Sequence, residues 1–202
     1  MRLVQSILTL NDCYKTANKM IPKGIVVHST GVNQTSIDSY LTSWNKSGVE
    51  KCVHAFIGYL PDGFFGTVQT LPFDFKCWGC GHGKKGSYNN SHIQFEICED
   101  DLTDLKYFNR CYKEAVEFCA DLCVIYNIET TNIVCHAESY RLGYGTNHAD
   151  VEYWFLKFGK SMNDFRKDVR RIVMNKIKFN DISGNWAEKH IQKLADYGVV
   201  NG

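Results

Sequence analysis

Apolar residues recur along this chain at two spacings, and each change of spacing marks an element. Gly24-Ile25-Val26-Val27-His28 is an apolar run closed by Ser29-Thr30-Gly31, the pattern of a buried strand that ends in a turn. From Ser36 to Asn45, Ile37, Tyr40, Leu41 and Trp44 recur at helical spacing, with Ser36 as N-cap and Gly48 as stop. Val53 to Tyr59 reads as a second strand, and Pro61-Asp62-Gly63 turns it back into Phe64 to Val68 as a hairpin. Lys76 to Asn90, rich in glycine, lysine and asparagine, reads as a long surface loop.

His92 to Cys98 alternates strictly, with Ile93, Phe95 and Ile97 on one face and His92, Gln94, Glu96 and Cys98 on the other. Asp100-Asp101 opens a long helix to about Tyr126, whose apolar stripe runs from Leu105 through Phe108, Tyr112, Ala115 and Cys119 to Leu122. Ile133 to Cys135 is the last strand. It leads into a loop, then a short aromatic helix from Val151 to Phe158, then a helix from Ser161 through Val173 opened by Ser161 and Asp164. Strands and helices mixed in this order predict an α/β domain in three layers, a mixed central β-sheet flanked by helices.

The 202 residues suffice for one domain with an appendage. With 44% hydrophobic residues, 22% charged and a net charge of +1, the chain reads as a soluble globular protein with no electrostatic pull towards nucleic acid. Its opening lacks the pattern of a signal peptide, and no apolar run is long enough to span a membrane. Nine cysteines, an odd number without an export signal, are expected to be reduced thiols. Cys77-Trp78-Gly79-Cys80 has no βαβ pattern around it to make it a thiol redox motif.

Cys135 to Trp154 places His136, His148 and Asp150 close together after a strand, and His28 ends another strand about a hundred residues upstream. Two histidines and a carboxylate with a fourth position open to water form a catalytic zinc set. His28, His136 and Asp150 are the candidate ligands. His148 is the rival for the third place, and Asp150 is alternatively the N-cap of the helix that begins at Val151.

Six blocks in order, GIVVHSTG, VHAFIGYLPDGFFGTVQTLP, CWGCG, HIQFEICED, CHAE and NHADVEYW, resemble the zinc-dependent type-2 N-acetylmuramoyl-L-alanine amidases, particularly those of clostridial phages and prophages. The resemblance covers roughly residues 1 to 175 and implies a peptidoglycan recognition protein-like fold. It implies one zinc per chain on His28, His136 and Asp150, and peptidoglycan as substrate. Glu96 matches the glutamate that draws a proton from water. His148 stands where many relatives carry a lysine that stabilises the oxyanion, a departure from the family's pattern. His54 is expected at the substrate, around the ligands, or in packing; His92 at a ligand, at substrate, or as a structural histidine. Trp78 and Tyr144 are candidate platforms for sugar or peptide. Glu138 is a candidate acceptor for an imidazole N–H. An endolysin of this kind accumulates in the cytoplasm before reaching the wall.

Residues 176 to 202 form a separate stretch. Phe179 onwards, FNDISGNWAEKHIQKLADYGVVNG, resembles the first half of an S-layer homology repeat, a module that implies binding to secondary cell-wall polymer. Its helix opens at Asn185-Trp186-Ala187-Glu188 and stops at Gly198. Half a repeat leaves an apolar face uncovered, which implies a shortened chain or a complement from another molecule.

Overall fold

The computed structural model describes residues 3–176, 184 and 186–196. Its centre is one six-stranded sheet formed by β1 (Leu3–Gln5), β2 (Gly24–Asn33), β3 (Ala55–Tyr59), β4 (Phe65–Gln69), β5 (His92–Glu99) and β6 (Ile133–Cys135). The spatial order is β1-β4-β3-β5-β2-β6. Only β3 and β4 pair antiparallel, as the hairpin across Pro61-Asp62-Gly63; the remaining neighbours are parallel. The mixed sheet flanked by helices is the architecture that the sequence predicts.

Helices cover both faces. On one, α3 (Leu105–Tyr126), α5 (Glu152–Lys157) and α6 (Met162–Lys176) pack against Ile25, Val27, Ile57, Ile93, Phe95 and Ile97. Phe108 of α3 meets Trp154 and Phe155 of α5 edge-on at 5.5 and 5.9 Å. Each such buried ring contributes about 1.5–3 kcal/mol of apolar transfer. On the other face, α2 (Asp38–Trp44) lays Tyr40, Leu41 and Trp44 over Phe56 and Val68. α7 (Glu188–Asp196) follows, with Trp186 before it 89% exposed. The Gly198 stop expected for it, and the rest of the repeat signature after it, lie outside the described residues.

Helix starts follow local chemistry. Asp104 caps α3 by accepting from Lys106 N at 2.7 Å and Tyr107 N at 3.2 Å, so the helix begins at Leu105 and not at Asp100. Ser161 and Asp164 form the reciprocal cap expected of them, with Ser161 N donating to Asp164 Oδ2 at 3.0 Å and Asp164 N to Ser161 Oγ at 3.2 Å.

Other elements also differ from the expectation: β2 runs on to Asn33, past the turn at Ser29-Thr30-Gly31 expected to close it just after His28. The segment after Cys135 is a helix, α4 (His136–Leu142), where a loop is expected. The Glu138 carboxylate accepts from Cys135 N at 3.1 Å and starts the helix at once, and Gly143 ends it in the left-handed conformation at φ 90°. β1 and α1 (Asp12–Thr16) are too short to show a periodicity. All nine cysteines are free thiols, with all but Cys13 buried. No helix among the described residues is long and apolar enough to cross a membrane.

Candidate metal centre and groove

The parallel register sets His28 of β2 beside Glu96 of β5, and Val26 beside Gln94. Alternation then puts His28, Gln94 and Glu96 on one face, at the C-terminal end of the parallel strands where open α/β sheets hold their ligands. Cys135 pairs with Val27, so His136 leaves β6 next to His28 as the first residue of α4. The backbone N–H of Ala137 donates to the Asp150 carbonyl at 3.2 Å, which brings the loop before α5 to the same place.

Three side-chain ligand atoms converge there. His28 Nδ1 lies 3.1 Å from His136 Nδ1 and 3.0 Å from Asp150 Oδ2, and His136 Nδ1 lies 3.3 Å from Asp150 Oδ1. The far sides of the rings settle their tautomers. His28 Nε2 is 2.8 Å from Gln94 Oε1, and the Gln94 amide is itself oriented by donating to Asn89 Oδ1 at 2.9 Å. His136 Nε2 is 3.2 Å from Thr146 Oγ1, whose own proton goes to the Cys80 carbonyl at 3.2 Å. Both Nε2 atoms therefore donate, and both Nδ1 lone pairs face the carboxylate.

Three acceptors so close repel one another unless a cation lies among them. Their separations suit ligands of one tetrahedral ion, which sit about 3.3 Å apart for bond lengths of about 2.0–2.1 Å. The set fits a metal, with two imidazoles and a carboxylate of the type zinc takes. Burial opposes ionisation of Asp150, yet His136 and His28 together hold its carboxyl well below the usual range. Burial pushes the His136 imidazole down, towards the neutral form that binds metal.

Glu96 lines a groove of about 680 Å³ together with His136, His148, Asp150, Trp78 and Lys51. Its Oε2 is enclosed without a hydrogen-bond partner. Burial pushes its pKa up to about 7, opposed by the nearby His28 and assisted by Asp150. A carboxyl poised there can take and return a proton near neutral pH. His148 is exposed on the rim, its ring 4.6 Å from that of His136. Trp78 is 45% exposed in the groove, where a platform is expected.

Asp150 does not cap α5, whose N-cap is Val151 without a side-chain bond. The expectations for Glu138 and Tyr144 are corrected, while His54 and His92 take the packing and structural alternatives open to them. Glu138 reaches no imidazole: Cys135 N and the Arg166 guanidinium, at 2.9 and 3.0 Å, occupy its oxygens. His54 is wholly buried, donating from Nε2 to the Phe75 carbonyl at 2.9 Å and accepting at Nδ1 from Gln94 N at 2.9 Å, so substrate does not reach it. Burial lowers its pKa to about 4 and keeps it neutral. His92 is packed under the Tyr88 ring at 3.8 Å with Nδ1 on Ser91 Oγ, and Tyr144 stacks on the other side of the pair at 4.6 Å from Tyr88. Neither His92 nor Tyr144 lines the groove.

Gln94 and Thr146, which hold the two ligands, were not singled out from the sequence. Gln94 shares the alternating face with Glu96 and was within reach of that pattern. Thr146 carries no periodic signal.

The family model described as N-acetylmuramoyl-L-alanine amidase matches residues 18–151, a span that holds the three converging ligands and Glu96. The chain belongs to this family. Among curated proteins, this amidase family member is similar to a bifunctional autolysin of Staphylococcus epidermidis, at 28% identity over 138 residues. That match covers 64% of this chain and only 9% of the autolysin. Among solved structures, the Staphylococcus aureus hydrolase AmiA in complex with its ligand superposes with a TM-score of 0.67 at 21% identity, covering 87% of this chain and 85% of AmiA. The catalytic domain of XlyA gives 0.65 at 19% identity, covering 84% and 99%. PlyL gives 0.63 at 22% identity, covering 84% and 97%. These likenesses show a shared fold.

Proposed function

We propose that the protein is a zinc-dependent amidase that hydrolyses the bond between N-acetylmuramic acid and L-alanine in peptidoglycan. The observation that carries this reading is the meeting of three lone-pair donors beside an enclosed carboxyl in a groove of about 680 Å³. Family membership supplies the reaction class.

Amide hydrolysis at neutral pH needs an activated water, stabilisation of the developing oxyanion and a proton for the leaving amine. A zinc ion held by His28, His136 and Asp150 supplies Lewis acidity and lowers the pKa of water towards about 7. Glu96 takes the proton from the attacking water and returns it to the amine of L-alanine. His148, exposed on the rim beside His136, is the side chain placed to stabilise the developing oxyanion. Gln94 and Thr146 keep the two imidazoles turned the right way, and the groove rim with Trp78 holds the polymer.

The prophage endolysin setting, with accumulation in the cytoplasm before access to the wall, is proposed on the motif resemblance alone. Attachment to secondary cell-wall polymer through residues 176–202 is proposed on the same footing. Zinc content measured together with the chain ends released from purified peptidoglycan tests the central reading. Stoichiometric zinc and new L-alanine amino termini without new reducing sugar ends are expected. Reducing ends without amino termini would replace the amidase by a glycosidase.

A further inference from the structure

The groove contains one ammonium that the hydrolytic chemistry leaves unused. Lys51 lines it together with Trp44 and Trp78, and no ion pair among the described residues engages it. The carboxyls of Glu50, Glu96 and Asp150 and the imidazoles of His136 and His148 share the groove lining with it. Lys51 is near enough to Glu96 to lower that carboxyl's pKa, although burial outweighs the effect.

These three rim residues are tied to one another through the backbone. Asn11 is wholly buried, and its Nδ2 donates to the carbonyls of both Trp44 and Lys51 at 2.9 Å. Cys52 N donates to the Trp78 carbonyl at 3.1 Å, and Trp78 N returns a bond to the Cys52 carbonyl at 2.9 Å. Trp44 is further fixed by Phe56, ring centres 5.0 Å apart. Lys51 is exposed and lines the groove with two indoles whose backbone these bonds join to its own, which offers a place for an anion on a chain that also presents a flat or apolar face.

Peptidoglycan chemistry says which anion. On the glycan side of the scissile bond, the lactyl carboxyl is consumed in the amide itself. Free carboxylates exist on the peptide side, where the residue after L-alanine carries either a carboxylate or, in amidated walls, a neutral carboxamide. We propose that Trp44, Lys51 and Trp78 form a subsite for a free carboxylate of the stem peptide, so that the enzyme favours acidic stems over amidated ones. This inference rests on the amidase reading.

The test uses two muramyl peptides that differ only in carboxylate or carboxamide at the residue following L-alanine. With zinc-loaded enzyme, the ratio of kcat/KM for the two should be about tenfold in favour of the carboxylate, carried by KM, as for one hydrogen bond to a charged group. Lys51→Met should bring the ratio close to one, and Lys51→Arg should keep it. A ratio near one in the unaltered enzyme, or one that survives Lys51→Met, would overturn the proposal. Calorimetric Kd values for the same peptides on Glu96→Gln give the same ratio without turnover. If neither peptide is cut while that binding ratio and its loss in the Glu96→Gln, Lys51→Met double variant persist, the amidase reading fails and the carboxylate subsite stands.

Discussion

Gln94 Oε1 accepts the Nε2–H of His28 at 2.8 Å, and this contact decides which nitrogen of His28 faces His136 and Asp150. Asn89 completes the device by fixing the Gln94 amide, so His28 is held with its Nδ1 lone pair forward.

Gln94→Leu is therefore expected to weaken zinc binding by about ten- to a hundredfold, although Gln94 never touches the metal. Chelator competition at fixed pH measures this directly. An unchanged zinc Kd would mean that the packing around His28 orients the ring without the amide.

The sheet and its functional face were legible because their signals are local and periodic. The alternation from His92 to Cys98 placed Glu96 on the polar side, and the apolar run before His28 ended where the groove begins. Histidine roles were harder to read. His54 follows Val53 much as His28 follows Val27, yet His54 spans two backbone groups inside the fold while His28 meets His136 and Asp150 in a set that could hold a metal. What separates them is which strand lies alongside, a long-range property. Tyr144 and Glu138 failed for the same reason: their partners, Tyr88 and Arg166, come from distant elements.

Glu138→Ala should lower stability and leave zinc affinity intact. The substitution strips a bidentate partner from the part-buried Arg166 and one bond from the start of α4, a loss of about 1–3 kcal/mol. Denaturant unfolding of the zinc-loaded protein, paired with a zinc Kd, separates the effects. A tenfold loss of zinc affinity without a change in stability would restore Glu138 to the metal centre.

Asp150 and His148 lie two residues apart, but only Asp150 meets both ligand imidazoles. Asp150→Ala should lose zinc. His148→Ala should keep zinc and lose rate, since it removes a contact made to the transition state. His148→Lys should recover part of that rate, because an ammonium can make the same contact to the developing oxyanion. Zinc retained in Asp150→Ala and lost in His148→Ala would indicate a three-histidine site.

Glu96→Gln should retain zinc and lose about two to four orders of magnitude in turnover, as expected when a general base is removed. Elemental analysis and initial rates on peptidoglycan check both halves. Turnover near that of the unaltered enzyme would take Glu96 out of the mechanism.

The same substitution gives a stability test in the metal-free protein. The folded pKa of Glu96 is raised to about 7, whereas an unfolded glutamate titrates near about 4.3. Below the unfolded value the carboxyl is neutral in both states, and the fold loses nothing. Between the two values the unfolded chain ionises while the folded one holds its proton, so stability falls as pH rises and levels off above about 7. Discounted for the part of the side chain that faces the groove, the loss is about 2 kcal/mol. Glu96→Gln lacks this titration, so its advantage in Tm over the unaltered metal-free protein should grow between about pH 4.3 and about pH 7. Zinc favours the carboxylate by its charge, so the slope should shrink in the loaded protein, and the acid limb of kcat/KM should lie below about 7. Parallel pH curves for the two metal-free proteins would mean that Glu96 keeps an ordinary pKa, leaving the enclosure of Oε2 without its electrostatic consequence.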